Sequence, residues 1–153
     1  MMLRAVLVGA FMLSPMMYFE YMKYSMQNAA REVEWSAQAS GSVDISGIGA
    51  DLLKQGVMQC VEMLHGDLIP KRQRRMFADY LIELKYRGNR SRALSEFRAF
   101  LRETRGHRAL LRQRDEAMEK RYSTAIFYVQ RQRNTYYDCG VDYARKMLKS
   151  RKS

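Results

Sequence analysis

Residues 51–65 read DLLKQGVMQCVEMLH. Leu53, Val57, Cys60, Val61 and Leu64 fall at i, i+4, i+7, i+8 and i+11, which gathers them on one stripe of a helix with 3.6 residues per turn. Gly66 is placed to end that helix, and Asp67 with Pro70 fits the entry to a second. In the second segment Phe77, Tyr80, Leu81 and Leu84 supply an apolar face as far as Gly88. Ser91 is placed to cap a third, in which Leu94, Phe97, Phe100 and Leu101 point one way and Arg92, Arg98, Arg102 and Arg105 the other. A fourth, longer helix is expected from Arg108 to Tyr136, with Leu111, Met118, Tyr122, Ala125 and Val129 on its apolar side. Asp138, Cys139 and Gly140 are expected to break it before a basic tail around Val141 to Lys149. Single-striped helices must bury their stripes against one another, so the body is expected to be a helical hairpin or bundle.

Composition agrees with an all-α chain. Only two prolines and nine glycines punctuate 153 residues, while helix-forming Met, Leu, Ala, Arg and Lys are plentiful. At 47% hydrophobic and 28% charged, the chain is too apolar for a disordered protein and too charged for a polytopic membrane protein. No repeat of 20 to 50 residues stands out, which argues against a solenoid.

Upstream of the body the character changes. Ala5 to Phe19 (AVLVGAFMLSPMMYF) carries no charge over fifteen residues. As a helix that run covers roughly 22 Å, and extension to Tyr24 past Glu20 and Lys23 reaches across a ~30 Å hydrocarbon core. Tyr18, Tyr21 and Tyr24 suit the membrane interface, Lys23 is near enough to the end to snorkel, and a span tolerates the kink of Pro15. The expectation is a single N-terminal transmembrane helix followed by a small basic helical body.

A secretory leader would need a small-residue cleavage site where none follows, and a mitochondrial presequence would be rich in Arg and Ser rather than carry Arg4 alone. A helix buried in protein is the remaining alternative. Residues 1–26 are therefore read as the anchor. Residues 27–50 are read as a short helix, containing Ala29, Ala30, Val33 and Trp35 as packing residues, followed by the Gly/Ser linker SGSVDISGIG over 40–49. Residues 51–153 are the body.

Charge divides the chain in two. Residues 1–70 hold four basic and seven acidic side chains, whereas residues 71–153 hold 23 basic and nine acidic ones, a net of +14. Such a field attracts polyanions: RNA, anionic lipid headgroups or acidic subunits. The run Lys71, Arg72, Arg74, Arg75 and the mixture Tyr128, Arg131, Arg133, Tyr136, Tyr137, Arg145, Lys146 are the candidate contacts with anionic lipid, partner or RNA.

Chemistry is not visible. The chain holds no GxGxxG, GxxxxGK[ST], HExxH or GxSxG pattern, so no enzyme, cofactor or small-molecule substrate is expected. Asp115, Glu116 and Glu119 lie among Arg112, Arg114, Lys120 and Arg121 and read as ion pairs on a helix surface. Cys60 and Cys139 match no metal-ligand spacing, and buried free thiols in a reducing, matrix-like compartment are favoured over a disulfide. His65 and His107 each lie beside a glycine and read as helix-end residues rather than metal ligands.

In composition the chain resembles the Met-rich, Arg-rich, single-anchor accessory subunits of mitochondrial inner-membrane complexes. That likeness implies a non-catalytic structural subunit of a respiratory-chain or ATP synthase complex, with cardiolipin as a possible anionic-lipid partner. The basic excess would place its body on the matrix side. The alternative is a mitochondrial ribonucleoprotein component lying on RNA.

Overall fold

A computed structural model describes residues 45–152. The proposed anchor, its interfacial residues Tyr18, Tyr21, Lys23 and Tyr24, and the expected Trp35 helix lie outside the described residues.

The body is all-α. Its helices are α1 (Ala50–His65), α2 (Lys71–Leu81), α3 (Arg90–Arg114), α4 (Glu116–Arg131) and α5 (Arg133–Lys152). A 3-10 turn over Gly66–Leu68 joins α1 to α2, and a π turn over Ile82–Tyr86 extends α2. Among the described residues there is no strand, and no helix is long and apolar enough to cross a membrane.

Each helix is set by the stripe its sequence carries. Leu53, Val57, Cys60 and Val61 of α1 are fully buried, as are Phe77, Tyr80 and Leu81 of α2, Phe97 and Phe100 of α3, and Tyr122 and Val129 of α4. Rings from three helices form the centre. Tyr80 lies 4.7 Å from Phe97, Phe77 lies 5.7 Å from Phe100, and Tyr136 of α5 meets Phe77 edge-on at 5.8 Å. Edge-to-face and offset ring pairs of this kind add ~0.5–1.5 kcal/mol beyond their buried area.

Helix α5 packs most extensively against α1, so the C-terminal segment is structural rather than a trailing tail. It continues through Gly140, because Gly140 faces Gly56 across that interface and the missing side chains let the two backbones touch. The expected break is therefore a contact point. The actual breaks lie elsewhere. Asp115 and Gln132 interrupt the chain, so the segment read as one helix from Arg108 to Tyr136 is the end of α3, all of α4 and the start of α5. Asp115 leaves helical geometry at φ −152° and ψ 100°, and its carboxylate accepts from the Met118 amide at 3.2 Å. It is an N-cap, a role its side chain takes in preference to a mid-helix position. Asn89, not Ser91, caps α3 by accepting from the Arg92 amide at 3.1 Å.

Two further expectations change. Cys60 and Cys139 form a disulfide that staples α1 to α5, with Cα atoms 6.2 Å apart. The stripe of α1 puts Cys60 inward, and the unbroken α5 brings Cys139 against it. The end of the Gly/Ser linker is also held. Ile48 is buried, its amide donates to the Ile45 carbonyl, and its own carbonyl accepts from the Tyr86 hydroxyl at 3.0 Å.

Candidate functional site

Helix α4 has two unlike faces. Tyr122, Ala125, Ile126 and Val129 are buried, while Lys120, Arg121, Thr124, Phe127, Tyr128 and Arg131 are exposed. A buried carboxylate fixes its start: Glu119 lies 3.5 Å from Arg108, 3.4 Å from Arg112 and 3.1 Å from the Ser123 hydroxyl. The Ser123 hydrogen bond, aided by Arg112, holds the Glu119 carboxyl below its ordinary range against an opposing push from burial. Glu119 thus clamps α3 to α4 and is not part of an exposed ion-pair ladder.

Across from α4, α1 ends at His65, and Gly66 turns the chain at φ +56° with its amide on the Glu62 carbonyl. The His65 ring is held by the Tyr136 hydroxyl at Nε2 and stands edge-on to Tyr128 at 5.6 Å. Burial lowers its pKa. The other histidine is no helix-end residue. His107 sits within α3, 4.6 Å edge-on from the Tyr122 ring, and burial lowers its pKa against the pull of Glu103.

Between these two elements lies an open groove of about 630 Å³, lined by Leu64, His65 and Leu68 on one side and by Lys120, Arg121, Thr124, Ala125 and Tyr128 on the other. Leu64, expected in the core, is instead 56% exposed. Two of the five large apolar residues exposed among the described ones, Leu64 and Tyr128, line this groove. No carboxylate does. Phe127, next along α4, is 60% exposed and stacks under the Arg131 guanidinium at 5.4 Å.

The charged residues singled out from the sequence do not form one patch. Arg72 pairs with Glu103 at 3.3 Å and Arg74 with Glu62 at 3.2 Å, tying α2 to α3 and α1, while Lys71 and Arg75 remain exposed. Arg133 is buried and donates to the Gln130 carbonyl at 2.7 Å. Arg145 and Lys146 are exposed on α5, the latter 3.1 Å from Asp142. Of the original set only Arg131 lies on the exposed face of α4. Lys120 and Arg121 were missed as contacts because two of the acidic neighbours that seem to pair with them, Asp115 and Glu119, act as cap and clamp. A helical wheel of 116–131, started after the Asp115 cap, would have separated them.

Among the described residues no group of three His, Cys, Asp or Glu side chains is placed to hold a metal ion. Compared with protein-family models, curated proteins and solved structures, the chain matches none.

Proposed function

We propose that this protein is a non-catalytic structural subunit of a membrane-bound assembly, tethered through residues 5–24, whose disulfide-stapled basic body lies on the oxidising side of its membrane. The Cys60–Cys139 disulfide carries this reading. Such bonds persist in oxidising compartments and are rare where thiols are kept reduced, so the proposal departs from the matrix-side placement expected from the basic excess. Charge next to the apolar run opposes this by a single residue, with Arg4 on one side and Lys23 and Arg31 on the other, and long domains cross largely regardless of charge. The described body holds 24 basic and 12 acidic side chains, a net of +12, which suits anionic headgroups or acidic subunits. The absence of any catalytic pattern in the sequence supports a structural role. Respiratory-chain and ATP synthase complexes remain the compositional precedent for such subunits.

A ribonucleoprotein role is less well supported, because Arg133 is buried and a disulfide suits few RNA-bearing compartments. The disulfide equally suits a secreted chain whose apolar run is a leader. Alkaline carbonate extraction of native membranes tests the proposal. Retention in the pellet at the full-length mass supports the tether, and release into the supernatant, or a mass short of the N-terminal segment, contradicts it.

A further inference from the structure

The groove between the end of α1 and α4 has a composition that selects a ligand. Its walls are aliphatic and aromatic, from Leu64, Leu68, Ala125 and Tyr128, and its charged members are Lys120 and Arg121. Neither cation has an acidic partner among the described residues, whereas Arg108 and Arg112 of the preceding helix are both committed to Glu119. A groove with an apolar floor and two uncommitted cations complements a molecule with an apolar body and an anionic head. The His65 Nε2 is already engaged by Tyr136, which leaves the cations as the anchors for charge. At about 630 Å³ the groove lies in the range of ~300–1,000 Å³ typical of small-ligand sites.

We infer that this groove binds a long-chain carboxylate, with its acyl chain along Leu64, Leu68, Ala125 and Tyr128 and its head between Lys120 and Arg121. An Arg guanidinium suits a carboxylate through paired N–H donors, and the long stem of Lys can follow the head. The inference rests on the membrane-tethered reading for the supply of such a lipid.

The test uses the full-length protein reconstituted in phosphatidylcholine vesicles containing a trace of diazirine-bearing palmitate, with labelled peptides located by mass spectrometry after irradiation. Label is expected on residues 63–68 and 120–128. Lys120→Glu with Arg121→Glu should reduce it about ten-fold there, as for loss of a charge-assisted contact, while label elsewhere is unchanged. Thr124→Trp, which fills the groove from an exposed position and leaves the cations in place, should reduce it comparably. Label on these segments that neither variant alters, or label confined to residues 1–44, overturns the inference. So do crosslinks that seat the chain's own residues 20–44 in the groove. Flotation of the same vesicles reads the tether separately, so a protein that floats but takes no label in the groove refutes the ligand without refuting the anchor.

Discussion

Gly56 of α1 and Gly140 of α5 meet backbone to backbone: a Cβ on Gly56 would lie 2.3 Å from the Gly140 carbonyl oxygen, and one on Gly140 would lie 2.6 Å from Val57 Cγ2 and 2.9 Å from the Val57 amide nitrogen. Backbone atoms crowd both positions, so a rotation of the Val57 side chain would relieve only part of the second clash. Alanine gains ~1 kcal/mol of helix propensity over glycine, but overpacking against backbone costs ~1–3 kcal/mol or more. Gly56→Ala and Gly140→Ala should each destabilise the body, the former more, as read by the urea midpoint. An unchanged or raised midpoint would show that α1 and α5 are not in this contact.

The disulfide closes the chain between positions 79 residues apart, the same two helices that the glycines bring together. In the chain-entropy account a loop of that length stabilises by roughly 4 kcal/mol. Reduction, or Cys60→Ser with Cys139→Ser, should lower the unfolding free energy, read from urea curves, by an amount of that order without changing helix content in native buffer. A complete loss of helix on reduction would mean that the aromatic centre cannot hold the bundle alone.

The junction at Asp115 makes a smaller, local prediction. Its carboxylate caps α4 through the Met118 amide, and Asp115→Ala should cost about 1 kcal/mol. Asp115→Asn should cost much less, because an asparagine oxygen can accept the same bond. Equal losses would imply that charge, not capping, is what Asp115 supplies.

Stability should fall at both ends of the pH scale. Burial lowers the pKa of His65 and His107, so the unfolded chain takes up protons near the ordinary histidine value of ~6.5 while the folded chain still resists them. Their contribution is complete above that pH and is lost as pH falls below it. Burial pushes the Tyr122 hydroxyl up to about 12, whereas tyrosine in an unfolded chain ionises near ~10, so stability also falls as pH rises through that interval. Urea midpoints across pH should show both arms, with His65→Asn plus His107→Asn flattening the acid one and Tyr122→Phe reducing the alkaline one. An acid arm untouched by the double variant would assign it to carboxylates such as Glu119.

The buried stripes of α1 to α4 were legible because they follow a 3.6-residue period: Leu53, Val57, Cys60, Val61, Phe77, Tyr80, Leu81, Phe97, Phe100, Tyr122 and Val129 all lie inside as their spacing indicates. What misled was punctuation. Gly106 and Gly140 read as stops but lie within helices, Gly140 for a contact with Gly56 that no local pattern encodes. Asp115 reads as a surface acid, yet it ends one helix and starts another. The disulfide was invisible for the same reason, since Cys139 reaches Cys60 only if α5 is unbroken. The groove was illegible because Leu64 belongs to the α1 stripe by spacing yet is exposed, and because its opposite wall comes from α4, far along the chain.

The redox state of Cys60 and Cys139 in living cells tests most directly whether the body lies on the oxidising side of a membrane. Cells expressing the full-length protein would be quenched in acid, denatured and treated with a polyethylene-glycol maleimide, with and without prior reduction. The result expected is no mass shift without reductant and a shift of two labels with it. A shift of two labels without reductant would show both thiols free and would contradict the placement.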